Sequence, residues 1–199
     1  RRVLFRSHAL DEADFATLDP AEFSAEWKWD GIRLQAVTGF DVAGASVQRL
    51  YSRTGEDMSQ SFPDLLEALC AAGLGDVAID GELLVVREGL VQSFGVLQQR
   101  LNRKSVTAKL INEYPLHIRA YDLLTENGED LRPLPLMERR ARLEALLARC
   151  GSAKLDLSPL VPFDTWEALA QAQRDPSSAG AGADAEAIEG VMLKRRQSI

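Results

Sequence analysis

The segment A-E-W-K-W-D-G-I-R-L-Q, residues 25–35, decides how the rest of this sequence of 199 residues is interpreted. Residues 23–38 have the pattern of a β-strand, in which alternate side chains point to opposite faces. One face is large and apolar and consists of Phe23, Ala25, Trp27 and Trp29. The other face is charged and consists of Glu26, Lys28 and Asp30. A lysine between two carboxylates is common on exposed antiparallel sheets, so this pattern alone leaves a structural and a chemical role open.

Length and composition limit the class of protein. Hydrophobic residues make up 46% of the 199, which is enough for one domain or two small ones with a sizeable core. No apolar run reaches the roughly 18–20 residues of a membrane span, which excludes an integral membrane protein. The net charge of −7 disfavours a free-standing, generally basic nucleic-acid binder.

The cysteines and histidines are too few and too scattered for several kinds of site. Cys70 and Cys150 form no CxxC pair, and we expect both to be buried thiols in a reducing cytosol. With only two histidines in the sequence, a histidine-rich metal site or a Ser/His/Asp triad is hard to assemble.

Alternating and helical periodicities predict an α+β fold with a mixed or mainly antiparallel sheet. The predicted strands are 23–38, 47–53, 77–87, 116–124 and 188–195. The predicted helices are 62–72, 93–102, 136–149 and 165–174.

Local signals refine these elements. Ser61 and Asp64 have the spacing of a capping box before helix 62–72, and Gly73 is a typical C-terminal stop. The charge run within 138–151 is expected to be a solvated helix face. The low-complexity segment 175–187 predicts a flexible loop.

Four further short motifs follow residues 28–33, and they are L-Y-S-R-T-G (50–55), I-D-G-E-L (79–83), A-Y-D-L-L (120–124) and E-G-V-M-L-K-R (189–195). Arg53 lies in a turn, and its planar guanidinium suits bidentate phosphate contacts, although an isolated S-R-T-G would more often be a solvated turn. Asp80 and Glu82 share one face of an otherwise apolar strand, where buried carboxylates need partners.

Together with K-x-D-G-x-R at 28–33, these motifs resemble in order and spacing those of covalent nucleotidyltransferases, which comprise DNA ligases, RNA ligases and mRNA capping enzymes. The segments E-W-K-W-D-G-I-R and E-G-V-M-L-K-R-R are most similar to those of bacterial ATP-dependent DNA ligases. The resemblance spans about residues 23–196. It implies an ATP-grasp-like adenylation domain with mixed or mainly antiparallel sheets flanked by helices. The implied cofactors are ATP and Mg²⁺ or Mn²⁺.

The same resemblance implies partners, location and cellular role. Its partner would be nicked double-stranded DNA and not a membrane, and the protein would be a monomer. The implied location is the bacterial cytoplasm at the nucleoid, in DNA replication, repair or recombination.

In this resemblance Lys28 is the catalytic nucleophile, whose amine attacks the α-phosphate of ATP, expels pyrophosphate and forms lysyl-AMP. An ammonium group cannot attack, and the resemblance sets Arg33, Lys194 and Mg²⁺ beside it as the cations that favour the neutral amine. The implied nucleotide-binding residues are Glu26, Asp30, Arg33, Arg53, Glu82, Tyr121 and Lys194. The implied metal ligands are Glu189 and Glu82.

The resemblance also implies roles for individual residues, and for Glu26 and Tyr121 a purely structural alternative stays open. Glu26 would accept the adenine amino group, or be a cross-strand salt-bridge partner. Tyr121 would stack on adenine, or be an ordinary core tyrosine. Glu82 would contact ribose or metal, Lys194 the α-phosphate, and Arg53 the phosphate of AMP or of the DNA 5′ end.

Glu189 and Lys194 raise a geometric problem. They are five positions apart, so ideal strand alternation would put them on opposite faces. A β-bulge at Gly190 would reconcile the two assignments.

Both ends of the sequence depart from the family pattern. The family continues past E-G-V-M-L-K-R-R into a W-x-K-x-K element and an oligonucleotide-binding (OB-fold) β-barrel, whereas this sequence ends at residue 199. We therefore expect 8–199 to be a partial adenylation domain without the C-terminal OB-fold domain, impaired in nick sealing. Residues 1–7, R-R-V-L-F-R-S, resemble one reading-frame translation of a sequencing-library adapter and are expected to be non-native.

Two other functions stay open at this point. An RNA ligase or a GTP-using capping enzyme would share the scaffold. However, Glu26 and the segment 189–196 favour ATP as the nucleotide and DNA as the substrate. A non-catalytic nucleotide- or DNA-binding module would not need the nucleophile, so the intact Lys28 argues against it.

Overall fold

The computed structural model describes residues 9–101, 103 and 105–199. The expectation that residues 1–7 are non-native concerns positions outside this range. None of the helices within the described part of the chain is long and apolar enough to cross a lipid bilayer.

Strands form two separate sheets. They are β1 (Phe23–Trp29), β2 (Ile32–Phe40), β3 (Ser46–Ser52), β4 (Val77–Arg87), β5 (Leu90–Val91), β6 (Leu116–Glu126), β7 (Glu129–Asp130), β8 (Leu155–Leu157), β9 (Leu160–Val161) and β10 (Ile188–Arg195). The smaller sheet has the order β10-β1-β9, and the larger has the order β3-β2-β4-β6-β7, with β5 added to β4 and β8 to β6. The β6–β8 pair is parallel and the other named pairs are antiparallel, so the predicted mainly antiparallel α+β class is confirmed.

The chain crosses from one sheet to the other directly after Lys28. The prediction of one strand over 23–38 is wrong, because Asp30 and Gly31 separate β1 of the smaller sheet from β2 of the larger. A Cβ atom on Gly31 would lie 2.5 Å from the Leu83 carbonyl oxygen and 2.7 Å from Cγ of Glu82. Only glycine fits this close approach, which fixes the junction against β4.

Six α-helices surround the sheets, and they are α1 (Glu12–Phe15), α2 (Pro63–Ala72), α3 (Phe94–Leu97), α4 (Ala108–Glu113), α5 (Leu136–Arg149) and α6 (Trp166–Arg174) among the described residues. Helix α2 ends as predicted at Gly73, whose φ of 62° is left-handed. The predicted capping box at its start is wrong, because Phe62 is the N-cap residue and Pro63 begins the helix. Asp64 is instead buried and binds Arg100, 2.6 Å away.

Tertiary contacts change three other local predictions. The helix predicted over 93–102 is one α-turn followed by a 3-10 turn at Gln98–Arg100, and α4 was not predicted. The segment 175–187 is not a simple loop but forms helical turns, in which Asp184 accepts a hydrogen bond of 2.9 Å from the Val91 amide. Cys70 is exposed, so the prediction of a buried thiol is wrong there.

Two apolar clusters hold these layers together. One packs the larger sheet against α2 and α5, through residues such as Leu65 of α2 and Leu143 of α5. The other surrounds Trp27 and Trp29 of β1 and includes Leu169 of α6. Burying the two indole rings anchors β1 on both sides of Lys28, which is the exposed residue of that strand.

Candidate active site

A cavity of about 650 Å³ is lined by residues of both sheets. Its wall includes every residue that the sequence nominated for catalysis, nucleotide binding or metal binding, namely Glu26, Lys28, Asp30, Arg33, Arg53, Glu82, Tyr121, Glu189 and Lys194. These residues come from β1, β2, β4, β6, β10 and the connections after β1 and β3, so they are brought together only by the fold.

Lys28 owes its position to the alternation of β1. Its neighbours Trp27 and Trp29 are buried, whereas the Lys28 side chain is 48% exposed and forms an ion pair with Glu189. The indole of Trp29 donates a hydrogen bond of 3.2 Å to Oγ of Ser158, and the guanidinium of Arg119 lies 4.3 Å from the centre of the indole ring. The backbone next to Lys28 is therefore fixed while its amine faces the cavity.

A β-bulge puts Glu189 in the site. Lys28 and Trp29 pair with Gly190 and Ile188, so Glu189 is one extra residue on β10. The insertion shifts the alternation of the strand, and Glu189 reaches the same cavity as the lysine five positions further on. The bulge predicted at Gly190, whose φ is 158°, is therefore confirmed.

A second bulge exposes Tyr121 to the cavity. Asp80 and Gly81 of β4 pair with Asp122 and Ala120 of β6, so Tyr121 is an extra residue between them. Its side chain is half-buried, and desolvation of the phenol raises its pKa well above the ordinary value of 10.0. The ring stays neutral at physiological pH and offers a flat surface to the cavity.

Glu26 lies at the same end of the cavity as Tyr121. Its side chain is 4% exposed and is bound by two cations, with Nη1 of Arg140 3.2 Å and Nζ of Lys194 3.1 Å from its oxygens. The Lys194 ammonium also lies 4.6 Å from the centre of the Tyr121 ring, in cation–π geometry. Lys194 thus links a carboxylate and an aromatic surface in one corner of the site.

Asp80 and Glu82 differ sharply in their environment. Asp80 is buried and bound by Arg33 and by Nε2 of Gln35, the latter at 3.1 Å. Burial raises the pKa of Glu82 from its ordinary value of 4.5 to about 8, and nearby Asp30 adds to the rise, whereas Arg33 and Lys28 offset part of it. At neutral pH the Glu82 carboxyl is therefore mostly protonated unless a further cation approaches it.

The donor set suits a hard divalent cation that arrives with phosphate. Among the described residues, no three His, Cys, Asp or Glu side chains are grouped to hold a metal ion by themselves. Mg²⁺ commonly binds one or two carboxylates together with water and phosphate oxygens. Glu82 and Glu189 both line the cavity and supply two such carboxyl groups, and a cation beside Glu82 would favour its ionised form.

Sequence reasoning missed two buried arginines beside the site. Arg139 and Arg140 belong to the charge run predicted to be a solvated face, but each is only 3% exposed. Arg139 lines the cavity and donates to both oxygens of Asp122, at 2.8 and 3.0 Å. Each arginine pairs with a buried carboxylate far along the chain, Asp122 or Glu26, and the local sequence pattern gave no signal of that partner.

Comparison with known proteins gives a consistent assignment. The family model described as the ATP dependent DNA ligase domain matches residues 7–199. A probable DNA ligase of Koribacter versatilis is 37% identical over 142 residues, which cover 70% of this chain and 24% of that protein. The DNA ligase of Archaeoglobus fulgidus is 32% identical over 171 residues, which cover 86% of this chain and 28% of that protein.

A solved structure shares the architecture. The mycobacterial DNA ligase D complexed with ATP superposes with a TM-score of 0.66 at 28% identity, covering 91% of this chain and 50% of that one. The chain spans about a quarter of the length of the two curated relatives. With a family model matching nearly its whole length and motifs that line one cavity, this chain belongs to the ATP-dependent DNA ligase domain family.

Proposed function

We propose that this chain is the adenylation domain of a bacterial ATP-dependent DNA ligase. It transfers AMP from ATP to Lys28 and from Lys28 to the 5′-phosphate at a nick in double-stranded DNA. One observation carries the proposal. Nine residues nominated from five separate sequence motifs line a single cavity, with the half-exposed amine of Lys28 among them.

The first step makes a nitrogen–phosphorus bond at Lys28. The ammonium leaves its ion pair with Glu189 and loses a proton to solvent, and the neutral amine then attacks the α-phosphorus of ATP. The bond from that phosphorus to the bridging oxygen breaks, and pyrophosphate leaves with the electron pair. Arg33 and Lys194 stabilise negative charge on the transferring phosphoryl group. Glu189 and Glu82 would hold a divalent cation together with the phosphates, and that cation would supply further charge neutralisation.

The corner formed by Glu26 and Tyr121 binds the nucleobase. Tyr121 offers a flat apolar ring for stacking, and the Glu26 carboxylate accepts a hydrogen bond from the exocyclic amine of adenine. Lys194 has to leave both groups as the base enters, and its ammonium then turns to the α-phosphate. Exposed Arg53 contacts the phosphate of AMP or of the DNA 5′ end.

Two further steps complete strand sealing. The 5′-phosphate oxygen at the nick attacks the lysyl-AMP phosphorus and releases the Lys28 amine, giving a DNA-adenylate with a pyrophosphate linkage. The 3′-hydroxyl then attacks the DNA phosphate, forms the phosphodiester bond and expels AMP. The names of the two curated relatives, a probable DNA ligase and a DNA ligase, support DNA as the substrate.

We propose a monomer that works in the bacterial cytoplasm, at the nucleoid, in replication, repair or recombination. The two cysteines support a reducing compartment, since both are free thiols although one of them is exposed.

The test is covalent labelling with ATP carrying radioactive α-phosphate, in the presence of Mg²⁺. We expect label on Lys28 with release of pyrophosphate, no label on the Lys28→Ala variant, and much less label from GTP. Chase with nicked DNA should remove the label faster than chase with nicked RNA, even where the transfer is slow. Label that survives Lys28→Ala, or a preference for GTP or RNA, would contradict the proposal.

A further inference from the structure

The Glu26 carboxylate is bound by an arginine that is not itself part of the cavity wall. Arg140 lies on α5, far along the chain from β1, and only 4% of its side chain is exposed. Its Nη1 atom lies 3.2 Å from Oε1 of Glu26. No motif of the family resemblance includes this residue.

Three acceptors on different elements hold the Arg140 guanidinium. Besides Glu26, it donates to the Ser158 carbonyl oxygen at 2.6 Å and to Oε1 of Glu144 at 3.2 Å. Ser158 is fully buried and accepts a hydrogen bond from the indole of Trp29, on the same strand as Glu26. The guanidinium is therefore bound to β1 directly through Glu26 and indirectly through Ser158, and its planar group cannot turn without losing these bonds.

The second cation on Glu26 is held less firmly. The Lys194 side chain is 22% exposed, and its ammonium has one carboxylate oxygen and the face of Tyr121 as partners. A lysine ammonium on a flexible stem exchanges partners more readily than an arginine bound at three sites. Glu26 thus has one fixed and one exchangeable cation.

We propose that Arg140 is a positioning residue for nucleobase recognition. It holds the Glu26 carboxylate in place and compensates its buried charge, so that Lys194 can leave for the phosphate while Glu26 accepts the amine of the base. Without Arg140, Lys194 would be the remaining charge partner of a buried carboxylate and would stay on it. This inference rests on the proposed function for the role of Glu26, and the role of Arg140 is added by the structure.

A purely structural role for Arg140 would have a different signature. Loss of a stabilising ion pair lowers the free energy of unfolding and weakens every nucleotide alike. Loss of a positioned acceptor weakens only nucleotides whose base donates to it. The ratio of two affinities therefore separates the two roles.

The experiment measures binding of ATP and of purine riboside triphosphate, which lacks the 6-amino group, by titration calorimetry. The variants are Arg140→Met, Arg140→Lys, Glu26→Met, whose side chain has no oxygen to accept a hydrogen bond, and the double variant Glu26→Met/Arg140→Met. The control is Arg142→Met on the same helix, where Arg142 pairs with Glu129 at 2.7 Å. Thermal unfolding of each variant reports stability separately.

For the unaltered chain we expect ATP to bind about tenfold or more tightly than the analogue, from one hydrogen bond to a charged acceptor. Arg140→Met and Glu26→Met should each reduce that ratio to within about twofold, and the double variant should reduce it no further. Arg140→Lys should give an intermediate ratio, and Arg142→Met the original one.

An unchanged ratio in Arg140→Met, with both affinities lowered equally, would overturn the proposal, as would an unaltered chain that does not discriminate. If Arg140→Met does not fold, Arg140→Lys becomes the test variant. A lowered ratio of ATP affinity to analogue affinity in Arg140→Lys supports the proposal, and an unchanged ratio overturns it. The proposed function is tested separately by labelling of Lys28. A chain that discriminates through Arg140 but is never labelled would retain this inference and lose the ligase function.

Discussion

Nζ of Lys194 lies 3.1 Å from Oε2 of Glu26, although the two residues are 168 positions apart. The same ammonium lies 4.6 Å from the centre of the Tyr121 ring. A base that stacks on this ring and donates to this carboxylate must displace the ammonium from both. In the proposed function, recognition of the base and delivery of a cation to the phosphate would therefore be coupled through one side chain.

This coupling predicts that Lys194→Met changes the affinities for adenosine and for ATP in opposite directions. Adenosine should bind several-fold more tightly, because the base no longer competes with a cation–π contact and an ion pair worth about 1 kcal/mol together. ATP should bind more weakly, because the phosphate loses a cation. Calorimetric titrations with both ligands check this, with Lys109→Met on exposed α4 as the control. Parallel changes for adenosine and ATP would refute the coupling.

Glu189→Gln should change the Mg²⁺ dependence of labelling while leaving the free energy of unfolding nearly unchanged. The Lys28–Glu189 ion pair joins two half-exposed side chains, so its loss should change the free energy of unfolding by less than about 1 kcal/mol. A lost metal ligand, in contrast, should raise the Mg²⁺ concentration needed for half-maximal labelling of Lys28 by about tenfold. Labelling across a Mg²⁺ series and urea unfolding measure the two effects. An unchanged Mg²⁺ dependence would rule out Glu189 as a ligand.

Gly31→Ala should destabilise the junction between the sheets. The added methyl would lie 2.5 Å from the Leu83 carbonyl oxygen, which is backbone and can yield only by moving β4. We expect a loss of about 1–3 kcal/mol in the free energy of unfolding, measured by urea denaturation. Gly151→Ala is the matched control, because its Cβ would meet no atom within 4 Å. Equal stability of the two variants would argue against the close packing described for Gly31.

Glu82→Gln should flatten the dependence of stability on pH. The pKa of Glu82 is about 8 in the folded chain against an ordinary value of 4.5, so between these values the unfolded chain releases a proton that the folded chain keeps. This group therefore costs stability progressively as the pH rises from about 4.5 to 8, by a few kcal/mol at most. Urea unfolding at pH 5, 7 and 9 compares the two proteins. Identical pH dependence would mean that Glu82 titrates normally.

Much of the site was accessible from local patterns. Period-two alternation correctly put Lys28 on the exposed face of a strand between two buried tryptophans. Helices α5 and α6 were located to within a residue, because a helical apolar period over nine or more residues is a strong signal. These features depend on neighbours in the sequence, which is why the sequence predicts them.

The incorrect predictions from the sequence share a different cause. The break at Gly31, the burial of Arg139 and Arg140, and the folding of segment 175–187 all depend on partners far along the chain. An arginine in a charged helix is normally solvated, and only a facing buried carboxylate makes its burial favourable. Local periodicity contains no information about which carboxylate will face it.

The sequence by itself determined which motifs are present, in what order, and which residue of β1 is exposed. Only the tertiary structure decided that Tyr121 and Glu189 reach the cavity, since each is the extra residue of a β-bulge set by pairing with a distant strand. It also decided that Glu26 shares its charge between a fixed Arg140 and an exchangeable Lys194. The physical reason is that register and charge pairing are properties of two segments in contact, whereas alternation is a property of one.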